Sequence, residues 1–407
     1  MSTSSPHHQS GPQPTVVIWR SGMLAASETF IRNQGNALTR WQPTFLGATR
    51  VSSPIAADTD VVAYPDTPAG RRAFLRLRLT GESPRLRNLL AGLRPALVHA
   101  HFGNDGWLVS GTARQLGVPL VVTLHGYDVT RQPDASGVRG VRYRRNLRQV
   151  FERATLLLAV SGFIRDRAVA IGADPAKVLV HHTGVPMPSA PSFDPSDPAG
   201  PSVGPKKWDL VFVGRFVEKK GVDDLLEAVG MLSERRPRLL LIGSGPLEQP
   251  MRERAAALGL DATFLGAQEP AAVGRHLAES RIFVSPSKTA SDGDSEGLPT
   301  TILEASSLGL PTISTHHSGI PEAVLHGETG LLGAEGDRSA LAAGIARLLD
   351  DDELRIRLGR QARRHVEQNF DLRKQTLLLE SLYETVAGRA GLPAPDHEPA
   401  DADQPAR

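Results

Sequence analysis

Residues 295–305 read Ser-Glu-Gly-Leu-Pro-Thr-Thr-Ile-Leu-Glu-Ala. Glu296 falls in a loop, Gly297, Leu298 and Pro299 make a turn, and Thr300 or Thr301 is placed to cap a helix that stops near Gly309. Glu304 then lies about one turn inside that helix. Such a helix start presents backbone N–H groups to an anion, with one carboxylate before them and a second just beyond. A sugar hydroxyl and a ribose diol are groups that two carboxylates so placed would bind; the plainer reading is a capped helix with a surface glutamate. Runs at 281–285 and 311–314 bracket the segment as strands, so strand, loop, helix and strand follow as in a βαβ unit of a parallel sheet.

The alternation continues outward. Strand runs at 209–213, 238–242 and 263–265 precede the segment, and a separate series at 15–19, 97–100, 120–124, 156–160 and 178–181 fills the first half. Between the two series, residues 184–205 carry Pro or Gly at nearly every second position and read as a linker. The expected organisation is α/β throughout: a tail at 1–14, a Rossmann-like domain at 15–187, a linker at 188–207, a second Rossmann-like domain at 208–370, a helix at 371–387 and a polar, proline-rich tail at 388–407. In that helix Leu377, Leu378, Leu382 and Val386 are expected to form one apolar stripe where the domains meet. A length of 407 residues suits two such domains.

Composition narrows the chemistry. With no cysteine, thiolate nucleophiles, disulfides and cysteine-held metals are excluded. No apolar run approaches the roughly 20 residues of a membrane helix. The first residues lack the charged and apolar regions of a signal peptide, so a cytoplasmic location is expected, with peripheral contact at the inner membrane face. The net charge of +2 hides an asymmetry: residues 1–187 hold 22 Lys and Arg against 11 Asp and Glu, a balance of +11 that leaves −9 for the rest.

Other motifs sit at strand ends, where ligands bind in open α/β sheets. FVGRFVEKKG (212–221) places Arg215 and Lys220 for a diphosphate, unless they are merely solvated cations at a helix start. LIGSGP (241–246) offers Gly243 and Gly245 for a tight turn or a close backbone approach. HAHFG (99–103) and TLHGYD (123–128) put His101, His125 and Asp128 toward the same cleft. Gly22, after the first strand, gives room for a diphosphate, and Ser27 with Glu28 reads as a helix cap and first turn. Asp292-Gly293-Asp294 and the His-His pairs at 181–182 and 316–317 imitate metal sites, but no third ligand follows at helical or strand spacing.

Together these residues resemble family 4 of the retaining glycosyltransferases, over about residues 15–387. The resemblance implies a GT-B fold, two Rossmann-like domains facing a central cleft, with a nucleotide diphosphate sugar as co-substrate and neither cofactor nor metal. The family's Glu-x7-Glu motif is Glu296 to Glu304: Glu296 would contact the transferred sugar and Glu304 the ribose. Arg215 and Lys220 would hold the diphosphate, assisted by the Gly297, Leu298, Thr300 and Thr301 backbone. Gly22 and Gly243 complete the expected donor site, His125 would lie near the anomeric centre, and His101 and Asp128 are assigned to the acceptor. Ser-Glu-Thr-Phe-Ile at 27–31, with HAHFG and LHGYD, is similar to the exopolysaccharide branch. The chain departs from the family in having a single Gly22 where many members carry a doubled glycine, and Thr183 where an Asn is frequent.

The expected activity is hexosyl transfer to a polysaccharide precursor or lipid-linked acceptor, with a small soluble metabolite as the alternative acceptor. A nucleotide-sugar epimerase or hydrolase would use the same fold, and an oxidoreductase would need a full G-x-G-x-x-G after an early strand, which is missing. No nucleic-acid partner is expected. Two arginine groups in the first half, Arg71, Arg72, Arg76, Arg78, Arg85, Arg87 and Arg94, then Arg139, Arg142, Arg144, Arg145 and Arg148, read either as solvated faces or as contacts to an anionic membrane.

Overall fold

A computed structural model describes residues 13–188 and 206–388. The expected tails at 1–14 and 388–407 and the linker at 188–207 therefore lie outside the described residues except at their margins. The chain forms two all-parallel sheets. The first comprises β1 (Thr15–Met23), β2 (Gln42–Arg50), β3 (Val61–Val62), β4 (Leu97–His101), β5 (Leu120–Leu124), β6 (Leu156–Ala159) and β7 (Val178–Val180), in the order β3-β2-β1-β4-β5-β6-β7. The second comprises β8 (Trp208–Val213), β9 (Leu239–Ile242), β10 (Ala262–Phe264), β11 (Ser280–Ser285), β12 (Thr312–Thr315) and β13 (Gly330–Gly333), in the order β10-β9-β8-β11-β12-β13. Strand order reverses between β1 and β4 and between β8 and β11, and such switch points are where doubly wound sheets hold ligands. This is the GT-B architecture expected.

Central strands are buried on both faces, which explains why they read as unbroken apolar runs: β5 is Leu-Val-Val-Thr-Leu with every residue buried. Strands β2, β3 and β13 escaped the sequence reading. Gln42–Arg50 opens on Gln-Pro and carries Gly47, against which Met23 packs so tightly that a Cβ there would stand 2.6 Å from the Met23 Cβ. Val61–Val62 is only two residues long, and Gly330–Gly333 begins and ends on glycine.

The C-terminal helix, Leu372–Val386, corrects the expected stripe. Leu377 and Leu378 are 51% and 56% exposed, whereas Gln375, Thr376, Leu379, Glu380, Tyr383 and Val386 are buried. Leu379, Tyr383 and Val386 pack with Val16, Ile18, Trp41 and Leu97, so the helix lies on the first domain. The chain reaches it by pairing Val185 with the 370–372 segment, through Val185 N–H to Phe370 O at 2.9 Å and Leu372 N–H to Val185 O at 2.9 Å. Glu380, fully buried, accepts from the backbone N–H groups of Thr39 and Arg40, both at 2.6 Å, and from Arg40 Nε at 3.1 Å. Removing that acceptor strands the two amides, while the Arg40 guanidinium keeps Glu384 at 2.9 Å. Glu380→Ala is expected to lower unfolding stability by about 2 kcal/mol, read as a reduced denaturant midpoint with an unchanged m-value.

Candidate functional site

The loop after β8 is shaped by backbone approach. Gly243, at φ +135°, lets Gly214 O come so near that a Cβ would sit 1.9 Å from it, and Gly245 does the same for Phe216 O at 2.6 Å. The G-x-G motif thus holds the 214–216 loop in place; Gly243 itself does not line the cleft. A 3-10 turn, Glu218–Lys220, then leads through Gly221 into the helix Val222–Gly230. Arg215 is exposed, and its guanidinium makes no hydrogen bond or ion pair among the described residues. Lys220 Nζ lies 3.0 Å from Glu296 Oε1, and Lys219 Nζ lies 3.1 Å from Asp294 Oδ1.

Glu296 is buried, and the surrounding charges decide its protonation. Desolvation pushes its carboxyl up, but the Lys220 and Lys219 ammonium groups outweigh that and hold it at about 2. Its backbone N–H donates to His317 Nε2 at 3.1 Å, while His317 Nδ1 meets Glu335 Oε1 at 2.6 Å. His317, seen in sequence only as part of a His-His pair, is therefore a prop for the Glu296 loop. Asp292 and Asp294, the other metal mimics, pair with Arg131 at 2.9 Å and with Lys219.

The helix Thr300–Ser307 begins at a residue expected to cap it. Pro299 holds the N-cap position, which has no side-chain hydrogen bond, and Thr300 is the first helical residue. Proline cannot accept through its side chain, so the first amides of this helix stay available to a ligand. Glu304 is half-buried one turn on, without a hydrogen bond or ion pair from its carboxylate among the described residues, and burial alone raises it to about 7.

The first domain closes the other side. A cavity of about 350 Å³ is lined by Ser27, Glu28, Phe30, Phe102, His125, Tyr127 and Thr183 opposite Arg215, Lys219, Lys220 and residues 296–301. It brings together His125, Arg215, Lys220, Glu296, Gly297, Leu298, Thr300 and Thr301. Five expected site residues do not line it: Gly243, held against Gly214 O, and four others. Gly22 lies inside β1, paired with Thr49. Asp128 is fully buried, and its carboxylate accepts from the N–H groups of Gly103 at 3.0 Å, His125 at 3.1 Å and Gly126 at 2.8 Å. His101 is buried beneath His125, its Nδ1 3.0 Å from His125 Nε2. Glu304 stands one turn inside the helix Thr300–Ser307, outside the residues that line this cavity. Asp128 and His101 shape the wall of the cleft and do not face an acceptor.

The expected cap at Ser27–Glu28 is also different. Glu28 is the N-cap of the helix Thr29–Asn36 without capping it; its carboxylate turns to the buried Arg20 guanidinium, which also pairs with Asp105 and lies over the Phe102 ring, 4.5 Å from its centroid. Sequence reading missed this cluster because Arg20, Glu28 and Asp105 are too far apart in the chain to show a pattern.

Two family models match the chain: Glycosyltransferase Family 4 over residues 27–187 and Glycosyl transferases group 1 over residues 196–365. WcaL of Salmonella typhimurium, named for colanic acid biosynthesis, is 31% identical over 357 residues, 79% of this chain and 85% of its own length. This chain belongs to the family 4 glycosyltransferases. Among other members, the amylovoran biosynthesis glycosyltransferase AmsK of Erwinia amylovora is 31% identical, over 67% of this chain and 65% of AmsK. The fold of this glycosyltransferase is shared with Anabaena HepE, solved with UDP and glucose, at TM-score 0.71 and 17% identity, covering 92% of this chain and all of HepE. Sucrose-phosphate synthase of Thermosynechococcus elongatus superposes at TM-score 0.72 and 19% identity, covering 93% of this chain and all of the synthase.

The two glutamates make opposite contributions to stability. Glu304, raised from an ordinary value near 4.3 to about 7, leaves the native state binding the extra proton between those values, so stability falls as pH rises through that window. Glu296, held at about 2, contributes stability above about 4.3 that is lost as pH drops toward 2. Glu304→Gln should therefore raise the thermal midpoint over wild type at pH 8 and lose that advantage at pH 4.5. Glu296→Gln should lower it at pH 7, most of the gap closing toward pH 2.

Proposed function

We propose that this glycosyltransferase moves a hexose-type sugar from a nucleotide diphosphate donor, with retention and without a metal ion, to a polysaccharide precursor or lipid-linked acceptor. The observation that carries this reading is the unpaired Arg215 beside Lys220, opposite the uncapped amides of Thr300–Ser307: three kinds of positive end converging where a diphosphate would develop charge. Relatives named for colanic acid and amylovoran biosynthesis support the acceptor class, and the UDP and glucose held by HepE support the donor class.

Retention follows most simply on the front face. The bond from the anomeric carbon to the diphosphate oxygen breaks, with the electron pair leaving on the phosphate. The acceptor hydroxyl bonds to the same face, and its proton passes to a phosphate oxygen. Double displacement would need a free carboxylate, but Glu296 is engaged by Lys220. Glu296 then holds hydroxyls of the sugar and Glu304 reaches the ribose. Asp292 and Asp294 already answer cations, which supports catalysis by Arg215 and Lys220 in place of a metal. Transfer should persist in excess EDTA. Glu296→Ala should abolish transfer while keeping nucleotide binding, Glu304→Ala should weaken nucleotide binding, and Arg215→Ala should cut turnover about a hundredfold. Thermal shifts with UDP, GDP, ADP and dTDP identify the base; an absolute divalent-metal requirement sinks the assignment.

One structural feature favours contact with an anionic bilayer. The helices Pro68–Thr80 and Gly137–Arg153 bring Arg78 of the first arginine group and Arg139 and Arg142 of the second to one groove of about 580 Å³, where the three make no ion pair with an acidic side chain among the described residues. Leu75, Leu79, Val138 and Val141 stand exposed on the same two helices. Several of these arginines also serve the fold: Arg85, Arg144 and Arg142 donate to the backbone carbonyls of Ala63, Pro133 and Arg78, which leaves their charge unneutralised, while Arg71 pairs with Asp66. Each free cation at such a surface contributes about 1 kcal/mol. Sedimentation with anionic vesicles should be lost at high salt, in Arg78→Ala/Arg142→Ala and with neutral vesicles. Equal pelleting with both vesicle types leaves a soluble metabolite as the acceptor.

A further inference from the structure

Three imidazoles stack behind the cleft wall. His99 and His101 have ring centroids 4.4 Å apart, and His101 and His125 lie 5.3 Å apart, each pair near parallel. Only His125 reaches the cavity. His99 spends both nitrogens within the protein, Nδ1 on Tyr383 OH at 2.6 Å and Nε2 on Thr123 Oγ1 at 2.7 Å. His101 spends one: Nδ1 faces His125 Nε2 at 3.0 Å, while its Nε2 is buried with no partner.

That single orphan nitrogen fixes the protons. If His101 carried its proton on Nε2, a buried N–H would have no acceptor, which native proteins avoid far more strictly than a bare lone pair. An imidazolium at His101 would strand the same N–H and add a charge close to Arg20, which donates to the His101 carbonyl. The proton therefore sits on His101 Nδ1 and is donated to His125 Nε2. His125 Nε2 is then an acceptor, and the neutral ring must bear its own proton on Nδ1.

We infer that His101 is a positioning residue that holds His125 as a neutral Nδ1–H donor turned to the cleft. His125 Nδ1 makes no hydrogen bond to any described residue, so this donor is open to an oxygen of the bound donor sugar. The ring is clamped for the purpose: Phe30 and Phe102 flank it at centroid distances of 5.0 and 4.4 Å, and Asp128 holds its backbone N–H. The groups facing the pair are Arg20, His99 and, from the His101 side, His181, with Glu28 and Asp105 neutralising Arg20, and burial, with Arg20, keeps His125 well below its usual titration range. His125 accordingly donates a hydrogen bond and takes no proton from the acceptor. The ligand part of this assignment rests on the proposed donor site; the tautomers do not.

Nitrogen-15 NMR of histidine-labelled full-length protein reads both rings directly. The expected wild-type pattern is a protonated Nδ1 and bare Nε2 on His101 and on His125, and a protonated Nε2 on His125 overturns the inference. His101→Asn places an amide nitrogen the same number of bonds from Cα as Nδ1 and should keep the His125 tautomer and turnover. His101→Leu should mix the His125 tautomers and lower kcat roughly tenfold to a hundredfold with UDP-glucose or GDP-mannose as probe, while UDP and GDP thermal shifts stay at the wild-type value. An unchanged His125 pattern in His101→Leu also overturns it. If the donor reading alone is wrong, the tautomers stand as assigned but the His125 Nδ1 resonance does not move when either nucleotide sugar is added.

Discussion

A carboxylate as deeply buried as Glu296 survives ionised only while a cation stays beside it, because desolvation of an unpaired charge costs more than a fold of ordinary stability can absorb at one point. Lys220 supplies that cation from the turn after β8, and Lys219 braces the same loop through Asp294. The pairing ties two segments 76 residues apart in sequence into one surface. It also explains why the loop needs His317 beneath it: the Glu296 backbone must stay where the side chain can reach Lys220, and the His317–Glu335 contact keeps the imidazole oriented to accept the Glu296 N–H. Arg215, by contrast, pairs with no acidic side chain among the described residues. In the proposed donor site, a cation left open beside one already engaged would divide the work between capturing the diphosphate and holding the Glu296 carboxylate.

The second-domain site was legible because its residues follow strand ends at short range. Glu296 precedes the Gly-Leu-Pro turn that leads into Thr300 and Thr301, and Arg215 and Lys220 follow the first strand, so local spacing carries their placement; Glu304 and Gly243 fall outside the lining. Where reading failed, the determinant was non-local. Thr300 looks like a cap by residue type, but Pro299 already occupies the N-cap position. Leu377 and Leu378 look like a core stripe, but the buried face of Leu372–Val386 is set by Glu380 reaching the 39–40 backbone and Tyr383 reaching His99. A helix whose buried face carries a glutamate, a glutamine and a threonine cannot be phased by hydrophobicity alone.

The first domain shows the same principle in its polar interior. Asp128 and His101 stand in motifs that look exposed because they follow strands, yet each is spent on shaping: Asp128 on three backbone amides, His101 on one ring nitrogen of His125. Arg20, Glu28 and Asp105 form a buried ionic cluster whose members come from β1, a helix N-cap and the helix Gly103–Leu116. Buried polar groups are costly unless satisfied, and these hold the loops on which Phe102, His125 and Glu28 line the cleft.

Gly297 joins the two halves of the site. Its φ is not in the left-handed region, so the turn itself does not demand glycine; the demand is steric. A Cβ there would stand 1.7 Å from His125 O, and a Cβ on Gly319 would stand 2.2 Å from Gly297 O. The domains thus touch backbone to backbone one residue from Glu296 and at His125 itself. Ser161 Oγ donates to Gly297 O at 3.2 Å from the first domain, and Glu322 reaches from the second to Gly162 N–H at 2.9 Å and His182 Nε2 at 2.9 Å. Any side chain at 297 would wedge apart the two residues that face each other across the cavity, so the glycine in Ser-Glu-Gly-Leu-Pro sets the width of the cleft and not the shape of its own turn.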